Sequence, residues 1–289
     1  MTKPTKQFTP GLITVTAILI VGCEDPAALT ESQVETRESL PSAQSSETPR
    51  IEAEAIAKIK ALGGHINNQN HLNLSNTQIT DTELEHLKGL TSLEGLQLSR
   101  TQITDTGLGH LKGLTRLRAI SLSRTQITDA GLEHLKGLTS LGAINLRGTQ
   151  ITDAGLEHLK GLTNLAGLLL SDTQITDTGL EHLKELTSLR VVSVSDTQIT
   201  DPGLEHLKGL TSLLRLELHD TQITDAGLEH LKGFTNLETL KLRGTQITDA
   251  GLEHLKGLTS LGLLDLRGTQ VTDARLDELR ASLPGCNVP

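Results

Sequence analysis

The apolar positions of this chain keep one order for most of its length, shown once through by LGAINLRGTQITDAGLEHLKGLT, Leu141 to Thr163. Ile144 and Leu146 alternate with exposed positions at period two, the pattern of a strand with one buried face, and Leu141 leads into it. Ile151 turns inward again after the strand. Leu156 and Leu159 then stand three apart, on one face of a short helix. Asp153 is placed to be the N-cap of that helix, accepting from its first free amides. Where other repeats have Ala or Thr after this aspartate, one has Pro202, which suits a first helical position better than a helix interior. Gly161 follows Lys160 as a terminating glycine with a cation in the last turn. Glu185 takes that glycine's place in one repeat, which predicts a different helix exit there.

The pair Thr-Gln recurs at 77, 101, 125, 149, 173, 197, 221, 245 and 269, always 24 residues apart. A fixed period in this range carrying L-x-x-L-x-L is that of a leucine-rich repeat. The fold class expected is α/β: a leucine-rich repeat solenoid, curved like a horseshoe, with a parallel sheet on its concave face and short helices on its convex face. The curvature follows from spacing, since strands stack about 4.8 Å apart whereas helices need about 8–10 Å. One unit cannot stand alone, so stability comes from stacking. The domain is expected over residues 51–289, with nine strand units. Its ends differ, as caps should. Ile51, Ile56, Ile59 and Leu62, followed by Gly63-Gly64, predict an amphipathic helix over 51–64 that covers the first strand. At the other end Arg275 replaces the repeat's glycine and Glu278 its histidine. Residues 273–289 are expected to close the stack, with Cys286 as a small buried apolar residue.

The first residues stand outside this pattern. Lys3 and Lys6 precede an apolar run, Leu12 to Val21, that is too short to span a bilayer comfortably. This is the shape of a secretory signal over residues 1–22. The run ends in Ile20-Val21-Gly22-Cys23, which resembles the lipobox of bacterial lipoproteins, where a small residue precedes a cysteine that becomes the lipidated N-terminus. That resemblance implies lipidation at Cys23 and an exported chain, anchored to a bacterial envelope membrane. Residues 23–50 are rich in Glu, Ser, Thr, Ala and Pro, without an apolar period, and read as a flexible tether. Its span is about 30 Å.

Composition narrows the function. Two Phe, no Tyr and no Trp leave an aliphatic core, and they leave any partner without aromatic anchors. A formal charge of -9, or -11 without Lys3 and Lys6, excludes a general nucleic-acid binder. Two cysteines exclude a disulfide framework. The phrase GTQITDAGLEHLKGLTSL, with AIAKIKALGG and LPGCNV at the ends, resembles the leucine-rich repeat proteins abundant in planctomycetes. The repeat is also similar to the cysteine-containing leucine-rich repeats of F-box proteins. Against that pattern, the usual Asn or Cys after the strand is Thr here, as at Thr77 and Thr101. A hydroxyl donates once where an amide can donate twice, so the interior hydrogen-bond ladder is expected to be sparser.

Candidate chemistry divides between the two halves of the repeat. His86, His110, His134, His158, His182, His206, His230 and His254 form a register on the helices. Helix spacing holds equivalent rings too far apart to share an ion, so they read as scaffold, with no metal or other cofactor expected. No G-x-S-x-G, H-E-x-x-H or phosphate loop is present, so no enzyme is expected and no catalytic residue is named. The strand half varies most between repeats. Its central exposed track runs Asn73, Gln97, Ser121, Asn145, Leu169, Ser193, Glu217, Lys241 and Asp265. Along its edge come Arg100, Arg124 and Arg147, then Asp172, Asp196 and Asp220, then Arg243 and Arg267. These residues are the expected binding surface for a charged protein or peptide on the concave face of a monomer. A spacer without a specific ligand is the main alternative. A ubiquitin-ligase substrate receptor, implied by the F-box resemblance, conflicts with an exported N-terminus.

Overall fold

The computed structural model describes residues 48–283 and 285–289. The expected signal segment, Cys23 and all but the last three residues of the expected tether lie outside them. Those three residues begin helix α1 (Thr48–Ala61). Pro49 suits a first turn, whose amides have no intrahelical partner, so the helix starts before its first apolar position. It ends ahead of Gly63, which turns the chain at φ 84°.

Ten strands follow in chain order: β1 (His65–Ile66), β2 (His71–Asn73), β3 (Gly95–Gln97), β4 (Ala119–Ser121), β5 (Ala143–Asn145), β6 (Gly167–Leu169), β7 (Val191–Ser193), β8 (Arg215–Glu217), β9 (Thr239–Lys241) and β10 (Leu263–Asp265). The nine strands β2 to β10 are parallel and in unbroken register. Leu72, Leu96, Ile120, Ile144, Leu168, Val192, Leu216, Leu240 and Leu264 stand at the centre of each strand, all buried. In the fourth repeat Leu141, Ile144, Leu146, Ile151, Leu156, Leu159 and Leu162 have no exposed surface, and equivalent residues run on into one continuous core. The architecture is an open α/β solenoid with the short helical turns opposite the sheet.

The first strand's edge is covered differently from expectation. The short strand β1 pairs antiparallel with β2, His65 opposite Asn73 and Ile66 opposite Leu72. Asn67 Oδ1 accepts from the amides of Gln69 and His71 and shapes the turn between them. Helix α1 instead packs Ala55 and Ile59 into the core beside the first helical turns. At the other end the helix Asp273–Ser282 buries Leu279, and Leu283 and Val288 complete the core. Asn287 bonds the backbone of Gly262 and Leu264, closing the β10 edge. Cys286 is half-buried against the core, and burial pushes its thiol up from the ordinary value.

The helical turns correct several local expectations. Thr152, extended at φ -114°, is the N-cap, and Asp153 is the first helical residue. Asp153 turns away from its own helix: Oδ1 accepts the Thr176 amide at 2.7 Å and Oδ2 accepts the Thr176 hydroxyl at 2.6 Å, one repeat onward. The same pair of bonds recurs from Asp81 to Asp249, giving eight links. The inter-repeat ladder is therefore built by aspartate. The threonine after the strand serves its own repeat, as Thr149 Oγ1 donates to the Leu146 carbonyl at 2.6 Å. Pro202 accordingly sits second, behind Asp201. Gly161 is not left-handed and faces open space, so it is no terminating glycine. In the Glu185 repeat the α-helix ends at Glu181 with no 3-10 helix after it, unlike the fourth repeat, yet the last backbone bond is kept: Leu186 bonds Leu183 at 2.9 Å just as Leu162 bonds Leu159.

The ladder explains the glycine of each DAGL, DTGL or DPGL. A Cβ on Gly107, Gly131, Gly155, Gly179, Gly203, Gly227 or Gly251 would collide with Oδ1 of the preceding repeat's aspartate. The first repeat has no predecessor and carries Glu83 at that position. Glu83 reaches back to accept both the Thr80 amide, at 2.8 Å, and its hydroxyl, at 2.6 Å. It supplies within one repeat what an aspartate supplies to every later one.

Candidate interaction surface

Each strand presents two outward positions, one on either side of its buried central residue. The later one is the expected exposed track, and much of it is covered. Ser121, Asn145, Leu169, Ser193 and Asp265 are buried, Gln97, Glu217 and Lys241 are half-buried, and only Asn73 is exposed. Strands this close let these side chains bond sideways, which removes them from water. Ser121 bonds Ser99 and Ser193 bonds Ser171, both at 2.7 Å between hydroxyls. Asn145 Oδ1 accepts from the Arg147 amide at 3.0 Å. Ser193 donates to Glu217, which meets Lys241 at 2.9 Å. Burial alone would raise the Glu217 carboxyl; the bond and charge of Lys241, with the Ser193 hydroxyl and Arg215, hold it below the ordinary value. Arg267 grips Asp265 with two bonds, of 2.8 and 2.6 Å, and lowers its carboxyl likewise.

The earlier outward position was missed from the sequence, although period two implies it. It carries Gly95, Ala119, Ala143, Gly167 and Val191 along the middle strands, with His71 and Arg215 at either side. Ala119, Ala143, Leu169 and Val191 form a small apolar cluster separate from the main core. The sheet face thus has a low, apolar centre.

The charged edge consists of two rows, not one. Asn76, Arg100, Arg124, Gly148, Asp172, Asp196, Asp220, Gly244 and Gly268 share a left-handed backbone, at φ between 54° and 70°. Arg147, Arg243 and Arg267 stand one residue earlier, beside the glycines. Asn, Asp and Gly accept this conformation most readily, so backbone geometry is itself a cause of the aspartate block. Arg100 and Arg124 gain nothing locally from it. Among the described residues Arg100, Arg124, Arg147, Arg243, Asp172 and Asp220 form no salt bridge. The Arg147 Nε is buried with no hydrogen-bond partner. On the helical side Lys88, Lys184, Lys208, Lys232 and Lys256 each pair with a glutamate three residues earlier, and Lys112, Lys136 and Lys160 form no salt bridge among the described residues.

Comparison with known proteins agrees with this geometry. Leucine-rich repeat models match residues 68–127 and, for a second model, residues 137–160, 185–208, 209–232 and 235–256. An internalin C2 from Listeria monocytogenes has a solved structure that is 31% identical; the match covers 75% of this chain and 92% of that one, with a TM-score of 0.59. The chain belongs to the leucine-rich repeat family. A second internalin of the same organism, 24% identical over 71% of this chain and 69% of that one, shares the fold at a TM-score of 0.52. No curated protein matches. Leucine-rich repeats of this kind suggest a scaffold for protein–protein interaction and are typically non-enzymatic.

Proposed function

We propose that this leucine-rich repeat protein binds a charged protein or peptide on the open, concave face of its sheet. The observation that carries the reading is the row of unpaired charges, ordered by sign, beside the sheet. Lys88, Lys184, Lys208, Lys232 and Lys256 on the helical side pair within their own repeats, and the unpaired Lys112, Lys136 and Lys160 there carry one sign, whereas Arg100, Arg124, Arg147, Asp172 and Asp220 beside the sheet form no salt bridge among the described residues and change sign in blocks. Unpaired charges of ordered sign on one face favour a partner of opposite order, acidic over the arginines and basic over the aspartates. The low apolar centre gives such a segment room to lie close. Binding of this type is salt-sensitive and of modest affinity, because no aromatic anchor is present. The signal-like segment and Cys23 support export and lipid anchoring to a bacterial envelope membrane, with residues 24–47 as spacer.

The test is a pull-down from the native membrane fraction with the wild-type chain, Arg124→Glu and Asp172→Arg. The reading expects one partner set whose recovery falls with either reversal and with added salt. Partners that persist through both reversals would place binding elsewhere. Labelling with a radioactive fatty acid, lost on Cys23→Ala, tests the anchor.

A further inference from the structure

We propose a divalent transition-metal site, of the zinc class, at the edge of the sheet between the sixth and seventh repeats, with Asp196, His219 and Asp220 as its ligands. One oxygen of each carboxylate and one ring nitrogen of His219 lie within 4.8 Å of one another. His219 Nε2 is already 3.7 Å from Asp196 Oδ2. Tetrahedral zinc with bonds of about 2.0–2.2 Å holds its ligand atoms roughly 3.3–3.6 Å apart. Rotation of two exposed aspartates about their side-chain bonds closes that gap without moving the backbone.

The backbone beneath is fixed. The Asp196 amide bonds the His219 carbonyl at 3.0 Å, and the Asp220 amide bonds the Arg243 carbonyl at 2.8 Å. Both aspartates hold the same left-handed conformation, at φ 55°. The imidazole is also oriented. Its Nδ1 lies 2.7 Å from the hydroxyl of Ser195, a residue with no exposed surface, which leaves Nε2 directed at the carboxylate side. A metal-bound imidazole is normally held through its other nitrogen in this way. No lysine or arginine neutralises Asp196 or Asp220 among the described residues. One imidazole with two carboxylates favours zinc or a neighbouring transition ion over calcium or magnesium, which take oxygen alone. His219 breaks the repeat: the equivalent position is Ser or Arg in the other repeats, and it belongs to none of the eight helical histidines. Three protein ligands leave a further coordination position facing solvent.

The experiment is calorimetric titration of the folded protein with ZnCl2 alone. The expected result is one equivalent in the wild type, lost in His219→Ala and in Asp196→Asn, and kept in the helical control His158→Ala. Far-UV circular dichroism confirms that each variant is folded, and the two ligand variants check one another. Ser195→Ala, which removes only the positioning bond, is expected to weaken binding by about 10–100-fold. CaCl2 in place of ZnCl2 is expected to show no equivalent that depends on His219. An unchanged zinc isotherm in both ligand variants, or no equivalent in the wild type, overturns the proposal. Partner capture by the charge-reversed surface is a separate readout, because neither Arg124 nor Asp172 is a ligand here.

Discussion

Removing Asp153 tests how repeats are joined. Its carboxylate accepts both the amide and the hydroxyl of Thr176, in a half-buried position. A hydrogen bond to a charged group contributes about 1.5–3 kcal/mol. The two share one carboxylate and water can partly replace it, so Asp153→Ala is expected to cost roughly 2–4 kcal/mol. Asp249→Ala breaks the same two bonds, but to the exposed Thr272, and is expected to cost less than about 1 kcal/mol. The sharper result comes from Gly179, where an added Cβ would collide with Asp153 Oδ1. Gly179→Ala destabilises the wild type. In the Asp153→Ala background that obstacle is gone, and the next atom met is Leu156 Cδ1, the flexible end of a side chain, at 3.2 Å. There the helical preference for Ala over Gly stabilises by up to about 1 kcal/mol. Urea denaturation followed by circular dichroism completes this double-mutant cycle. Additive effects, or equal costs at Asp153 and Asp249, would refute the link.

Three further outcomes follow from the same geometry. Arg124→Asn relieves a left-handed backbone and is expected to stabilise by roughly 0.5–1 kcal/mol in denaturant melts while weakening partner capture, so that stability and binding move in opposite directions. Lys241→Ala leaves the largely buried Glu217 without its cation and is expected to lower stability at pH 7 by about 1–2 kcal/mol, after allowance for partial exposure. In the wild type the Glu217 carboxyl is depressed, so its contribution is present above the ordinary carboxylate value and fades as pH falls; thermal melts of wild type and variant should therefore converge toward acid. The Glu83 carboxyl is depressed by its bonds to Thr80, so Glu83→Gln is expected to lower the melting temperature at pH 7 and to lose that effect as pH drops through the wild-type carboxyl's range.

The sequence made the strands, their register and the seven core positions of each repeat legible, because apolar spacing and a 24-residue period both report burial directly. The partner of Asp153 was not legible, and the repetition itself is the reason. Every Asp has a Thr immediately before it and an identical Thr 23 residues on, so a local cap and an inter-repeat bond look alike in the letters. Glu83 was the available signal: a carboxylate appears at the glycine position only where no earlier aspartate exists. Strand β1 lay hidden in the polar stretch HINNQNHLN, whose pairing depends on a turn made by Asn67. The candidate surface was half legible. Its charge blocks were visible, but a left-handed backbone divides them into two rows, and neighbouring strands bury Ser121, Ser193 and Asn145, which alternation alone marks as exposed.

The proposed division of labour puts recognition on the sheet face and leaves the insistently repeated letters as scaffold. Its most direct test is photo-crosslinking in intact cells, with a photoreactive side chain placed at Ser123 on the charged edge or at Lys160 on the helical side. The expected result is a discrete adduct from Ser123 that disappears with Arg124→Glu or Asp172→Arg, and no comparable adduct from Lys160. An adduct from Lys160, or one from Ser123 that is indifferent to both reversals, would contradict it.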